Sequence, residues 1–361
     1  MSARINLSMA ALAAILLSAG AAVDGRSTLA AYLVAWVALS AIPIGSLGVL
    51  MVSYLVRRDW TETLHPVLMA ATATMPLAGV LFIPVLVFLG SLYPAASDTV
   101  SLPTFKAIYL APWFFAARTV FYFVAWTILG WRLRVAWPDR ARMVRVASVG
   151  LIVYALLVSL AGVDWLESLQ PDFHSSIYGL LYLSFVLTAG VAFAIGAGLQ
   201  LGRRLVGISG YSGLLLSTIL LWGYLHAMQY IVIWSANIPG EVVWYLKRSV
   251  DGWQYVLVVL AVGQFIFPFF ALLNIRVRRS RRWLSGLCAL TLAMRLVEAA
   301  VLMMPAMSRL AAVPAVLALI PALTLVGALL LLAFEITNAW HDRLLNPARR
   351  GLRAAAPRSA G

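Results

Sequence analysis

The sequence predicts an all-α, polytopic membrane protein, and three observations carry that prediction. Of 361 residues, 63% are hydrophobic and only 11% charged, whereas a soluble domain holds about 45–50% apolar and about 25% charged residues. Mean hydropathy is +0.93. Uncharged apolar runs recur along the chain, and most of the 27 Lys and Arg residues gather between them. Each hydrocarbon crossing needs roughly 20 apolar residues in a helix, because lipid gives the backbone no hydrogen-bond partner.

Ten spans are expected, at 8–23, 28–56, 66–93, 105–131, 141–163, 173–199, 211–236, 252–274, 283–305 and 311–338. Span 1 follows Arg4, and its apolar run Met9–Leu17 with the small residues Ser18–Ala22 also fits a secretory signal peptide. Spans 2 and 3 carry Pro43, Gly45, Gly48, Pro76 and Pro84, which read as kinks or close helix contacts. Span 4 places Arg118, Tyr122 and Trp126 on one face. Span 5 is followed by the loop Asp164–His174, and span 6 opens with His174, Tyr178, Tyr182 and Phe185. Span 7 sets Trp222, His226, Gln229 and Ile233 on one stripe, with Tyr230, Trp234 and Asn237 on the adjoining face. Span 8 begins at Asp251, Trp253, Gln254 and Tyr255; span 9 contains Arg295 and Glu298; span 10 holds Glu335 near its inner end. The spans form one transmembrane domain over 1–346. Residues 347–361, rich in Ala, Arg and Pro with no apolar face, read as a disordered basic cytoplasmic tail.

The net charge of +14 is explained by where the basic residues fall. Twenty of the 27 lie at the N-terminus, after spans 2, 4, 6 and 8, and at the C-terminus; five lie in the opposite loops; Arg118 and Arg295 lie within spans. The positive-inside rule then puts both termini in the cytoplasm and makes the clusters topogenic signals, so no nucleic-acid partner is expected. The opposite loops collect Asp24, Asp98, Asp164, Glu167, Asp172, Glu241 and Asp251. Cys288 is the only cysteine, which excludes a disulfide framework, a Cys-based zinc site, an iron–sulfur cluster and a Cys-x-x-Cys-His haem attachment in this chain. No P-loop or nucleophile elbow is present.

Ionisable residues at membrane depth are expensive and therefore informative. Arg118 must face the bundle interior, water or a carboxylate. Arg295 and Glu298, spaced i,i+3, form either a neutralising local pair or part of a proton relay, and Glu335 is a proton entry point or a boundary residue. The loop Asp164–His174 and the stripe on span 7 bring carboxylates, imidazoles and phenols toward the outer face. Such groups suit a quinone head, whose carbonyls accept hydrogen bonds and whose reduced form releases protons. The expected outer cavity comprises Arg118, His174, His226, Gln229, Trp234, Asn237 and Arg248. Arg118 and Arg248 would orient or neutralise carboxylates; Asp164 and Glu241 would accept protons; Arg295, Glu298 and Glu335 would form a cytoplasmic branch.

Distributed motifs carry a resemblance. Leu92-Tyr93-Pro94, the run Lys106-Ala107-Ile108-Tyr109-Leu110 through Pro112, Phe114 and Arg118, and Asp164-Trp165 with Ser168-Leu169 and Pro171 are three of them. The fourth runs from Gln229-Tyr230 through Ile233-Trp234, Asn237, Pro239, Glu241 and Trp244-Tyr245 to Arg248. Together they resemble the NrfD-like membrane subunits of alternative complex III, the bacterial quinol:cytochrome c oxidoreductase, and especially its smaller, ActF-type subunit. Ala95-Ala96, Ala111, Gln170, Met228 and Gly240 depart from that pattern, and two of these departures remove carboxylates.

The resemblance implies paired four-helix bundles plus two peripheral helices in a bacterial cytoplasmic (inner) membrane. It also implies contact with quinone or menaquinone, proton half-channels, and partners comprising iron–sulfur and haem subunits and a second NrfD-like subunit. Because the quinol site of such complexes is associated chiefly with the larger NrfD-like subunit, this chain is expected to be a non-catalytic or quinone-binding subunit. Two alternatives stand beside it: a proton-coupled secondary transporter, since intramembrane Arg, Glu and His also line ion pathways, and a purely structural assembly subunit.

Overall fold

The computed structural model describes residues 2–56, 59–94, 104–137, 139–203, 205–308 and 310–345. The expectations for Arg57, Arg58, Ala95-Ala96, Asp98, Arg204, Arg309 and the tail 347–361 fall outside those residues, as does the side chain of Lys106. Helices α1 (Ser2–Leu55), α2 (Asp59–Thr72), α3 (Met75–Val80), α4 (Ile83–Val87), α5 (Leu89–Leu92), α6 (Thr104–Tyr109), α7 (Pro112–Ala136) and α8 (Arg140–Trp165) make the first part. They are followed by α9 (Tyr178–Gln200), α10 (Ile208–Ala236), α11 (Pro239–Leu246), α12 (Trp253–Leu260), α13 (Phe267–Leu273), α14 (Ile275–Arg278), α15 (Arg281–Met307) and α16 (Ala312–Leu345). Among the described residues there is no strand. The chain is an all-α, multi-pass membrane protein.

Among the described residues, nine helical runs are long and apolar enough to cross a bilayer, the first covering 53 residues. At about 1.5 Å per residue that run would measure about 80 Å, far more than the roughly 30 Å hydrocarbon core. It is in fact two helices. Asp24 leaves helical geometry (φ −144°, ψ 89°), and its carboxylate accepts the Ser27 N–H at 3.0 Å, the bond of an N-cap. Thr28 Oγ1 lies 3.1 Å from where a Cβ on Gly20 would sit, although eight residues of straight helix would separate them by about 12 Å. The chain therefore doubles back at Asp24, and spans 1 and 2 form a helical hairpin. The third crossing starts at Trp60 rather than at 66 and is broken into α2, α3 and α4, with Pro76 and Pro84 opening the latter two.

The second half of α1 packs with α2, α3, α7 and α8; α9 packs with α10 and α15, and α10 and α15 also contact the α12–α13 passage. The α16 helix lies along α1 and α2. Where α1 crosses α9, Gly45 and Gly190 meet backbone to backbone: a Cβ on Gly45 would fall 1.7 Å from the Val186 carbonyl oxygen. Only glycine permits this approach, and small residues at crossings are how helices associate without a hydrophobic drive. The arginine-rich connections share one end, where Arg281 donates to the Arg203 carbonyl (2.9 Å) and Ser212 to that of Arg278 (2.9 Å). The carboxylate-rich connections share the other, where Ser27 meets Ser308 (3.3 Å) and Ala312 N–H bonds the Asp251 carbonyl (3.0 Å).

Candidate functional site

Two buried charge clusters occupy the two halves of the molecule. In the first, α8 presents Asp164 one residue before its C-terminus and α7 presents Arg118 about two turns into the helix. Arg118 Nε and Nη2 donate to Asp164 Oδ2 and Oδ1 at 2.8 and 3.0 Å, a bidentate fork. Arg118 Nη1 donates to the Tyr109 carbonyl at 2.6 Å, and the guanidinium lies over the Tyr109 ring at 3.8 Å. Tyr122 Oη donates to Asp164 Oδ2 at 2.6 Å. The motif residues around the pair lock it in place: Trp165 Nε1 donates to Thr119 Oγ1 at 3.2 Å, Tyr93 Oη to the Trp165 carbonyl at 2.9 Å, and Ser168 Oγ to the Asp164 carbonyl. Asp164 is wholly buried, so its charge is held by three donors and one cation. Burial, then Asp164, pushes the Tyr109 phenol up to about 12.

The second cluster lies at mid-helix. Glu298 on α15 receives Trp222 Nε1 at 2.8 Å and contacts His226 Nε2 at 2.9 Å, both through Oε1, while Arg295 Nη1 faces its Oε2. Trp222 and His226 sit one turn apart on α10, so the predicted stripe does face inward. Arg295 and Glu298 are each 1% exposed, whereas the His226 side chain is 25% exposed. The Arg295 guanidinium lies between the faces of Phe185 (5.2 Å) and Trp222 (5.3 Å). One turn beyond His226, Gln229 Oε1 accepts Ser175 Oγ at 2.5 Å, and Ser175 N–H reaches Glu167 Oε1 at 3.2 Å. His226 and Gln229 share a cavity of about 50 Å³ with Tyr178, Trp244 and Tyr245, room enough for water, which needs about 10–15 Å³ by this measure. A polar line thus runs from Glu298 to the loop after α8.

The structure does not assemble the single outer cavity that the sequence suggests. Arg118 and Asp164 belong to one half, His226 and Gln229 to the other. Arg248, fully buried, meets no carboxylate: Nε and Nη2 donate to the carbonyls of Val301 (2.8 Å) and Leu302 (2.6 Å), Nη1 to that of Trp244 (2.6 Å). Pro305, inside α15 and four residues beyond Val301, has no N–H to offer the Val301 carbonyl. Arg248 therefore caps a proline break. Burial pushes its guanidinium down to about 9, still on the charged side of neutral pH.

Trp234 is 71% exposed, as expected of an interfacial aromatic, and Tyr230 packs edge-on against Tyr245 (5.4 Å between centroids). Asn237 is the left-handed C-cap of α10 (φ 48°, ψ 37°), a position that asparagine tolerates. Glu241 stands in the first turn of α11, where its charge suits the helix N-terminus. His174 is 57% exposed and 4.0 Å from Glu167. Glu335 is exposed on α16, while Arg295 and Glu298 are buried together on α15.

Two polar features escape sequence reasoning. His65 bonds Tyr54 Oη at 2.9 Å and stacks on Trp137 (3.5 Å between centroids), beside a cavity of about 620 Å³ that Glu62 and Arg140 also line. A histidine just ahead of Pro66 in an apolar run was the available signal. Gln264 is buried within a π-helical turn over Ala261–Ile266, which Pro268, lacking an N–H, helps to create. Among the described residues no group of three or more His, Cys, Asp or Glu could hold a metal. The chain matches no known family model and no curated protein sequence.

Proposed function

We propose that the protein is a membrane subunit of a quinol-linked electron-transfer complex, where it contributes to quinone binding and proton handling. The observation that carries this reading is the polar line Glu298–His226–Gln229–Ser175–Glu167, joining a carboxylate at membrane depth to the carboxylate-rich end. A charge-neutral pair that served packing alone would need only Arg295 and Glu298. Here the same carboxylate also holds a partly exposed imidazole, whose two nitrogens let it take a proton on one side and release it on the other. The motif resemblance supports the assignment to a complex of the alternative complex III type, with clusters and haems in partner subunits.

The test is purification in mild detergent from the native membrane, with mass spectrometry of the co-purifying proteins. Recovery with iron–sulfur or haem proteins is expected; recovery alone, without quinone, would favour the transporter reading instead. In the assembled complex Glu298→Gln should lower quinol-dependent turnover by about tenfold or more, and unchanged turnover and proton release would retire the proton role.

A further inference from the structure

Three helix connections at the arginine-rich end surround a cavity of about 620 Å³, in the size range of ordinary ligand pockets. Tyr54 near the end of α1, Glu62 near the start of α2, Trp137 and Arg140 where α7 passes to α8, and Val206 ahead of α10 all line it. Its buried side is fixed. Tyr54 Oη and His65 Nε2 are hydrogen-bonded at 2.9 Å, and the imidazole stacks on the Trp137 ring with 3.5 Å between centroids. Trp137 nevertheless stays 37% exposed, so part of its ring is open to a ligand.

The lining carries both signs of charge. Glu62 and Arg140 reach the cavity from separate helices, both are exposed, and no ion pair or hydrogen bond joins either side chain to another described residue. A purely anionic ligand would satisfy Arg140 and confront the Glu62 carboxylate; a purely cationic one would do the reverse, and like charges brought together are costly. A ligand with a phosphate and an ammonium meets both. The guanidinium suits phosphate, to which it can donate two parallel bonds, while Glu62 accepts from an ammonium that the exposed part of the Trp137 ring also attracts. Met143, Val144 and Val206 add an apolar ledge, with Val206 63% exposed. A small water-soluble zwitterion has nothing to lay on that ledge, whereas a lipid does, and the ends of membrane-crossing helices are where headgroups lie.

We propose that this cavity binds the headgroup of a zwitterionic phospholipid with a primary amine, of the phosphatidylethanolamine class. Its phosphate rests on Arg140, its ammonium on Glu62, and its first chain carbons on the apolar ledge. The positive-inside rule predicts that the lipid comes from the cytoplasmic leaflet. The site is independent of the quinol-linked reading above, because no residue of the polar line from Glu298 to Glu167 lines this cavity.

The experiment is native mass spectrometry of the full-length protein released from detergent micelles doped with equal amounts of dioleoyl phosphatidylethanolamine, phosphatidylglycerol and phosphatidylcholine. Retention of phosphatidylethanolamine above the other two is expected. Arg140→Gln should lower that retention by about tenfold, the worth of a hydrogen bond to a charged group. Glu62→Lys leaves both charges positive, so the preference should pass to phosphatidylglycerol, a gain that a misfolded variant would not show. Arg142→Gln, exposed on α8 but outside the lining, should leave retention unchanged. Equal retention of the three lipids, or as large a loss from Arg142→Gln as from Arg140→Gln, would overturn the site in favour of general attraction to a basic surface. A preference of the unaltered protein for phosphatidylglycerol would overturn the role of Glu62 and with it the zwitterion. Displacement of the lipid by free phosphoethanolamine at equal concentration would overturn the lipid as occupant and put a soluble zwitterion in its place.

Discussion

The ion pair of Arg295 and Glu298 shows how a residue's cost at membrane depth is shared. Each side chain alone would be a bare charge in hydrocarbon; together they are neutral, and Trp222 and His226 both hydrogen-bond the carboxylate's Oε1. Removing one partner of a buried pair costs about 3–5 kcal/mol, whereas replacing both is often neutral. Glu298→Gln and Arg295→Met should therefore each lower the unfolding temperature in detergent by several degrees, while the double variant recovers most of the loss. Equal and additive losses would show that the two charges are not coupled. Spacing revealed this pair, because i,i+3 residues on a helix are neighbours. It could not reveal His226 as the third member, since that contact crosses from α10 to α15 over 72 positions. The same limit misassigned Arg248: from its motif it looked like a partner for acids, and only the fold brings it to the Val301 carbonyl, which Pro305 leaves without an N–H.

At the scale of the element, hydropathy located nearly every crossing, but the internal breaks depended on tertiary partners. Proline marks where a break is possible; what satisfies the freed backbone groups decides whether it persists. In α15 that partner is Arg248, whose planar fork spans two adjacent carbonyls as a lysine ammonium cannot. Arg248→Lys should destabilise the fold by about 1–3 kcal/mol. Pro305→Ala restores the N–H that Val301 lacks, so in that background the same Arg248→Lys change should cost measurably less. A double-mutant cycle by thermal unfolding reads the coupling, and a zero interaction term would separate the arginine from the proline. The hairpin at Asp24 was legible only as two apolar runs, 8–23 and 28–56, with a short polar gap between them; the N-cap bond from Ser27 that starts the second helix emerged with the structure. The glycine crossing was not legible, because Gly45 and Gly190 lie 145 positions apart and nothing in either segment names the other.

At the scale of the whole molecule, charge and packing agree on which loops share a side, and the positive-inside rule predicts an orientation from that agreement. The contacts between Arg203 and Arg281 and between Ser212 and Arg278 gather the arginine-rich loops, while Ser27 with Ser308 and Asp251 with Ala312 gather the acidic ones. Cytoplasmic loops carry the excess of Lys and Arg, so Glu167 and its end of the polar line should face away from the cytoplasm, and under the proposed proton role a proton leaving Glu298 would exit there. The single cysteine makes this testable: Cys288 is buried and can be replaced by alanine to give a thiol-free background. Into it, Gln170→Cys in the loop after α8 and Ser280→Cys between α14 and α15 place one thiol on each side. In intact cells a membrane-impermeant maleimide should label Gln170→Cys and leave Ser280→Cys unmodified until the membrane is opened. The reverse pattern would invert the molecule, send the polar line toward the cytoplasm, and turn the same residues from a proton outlet into an inlet.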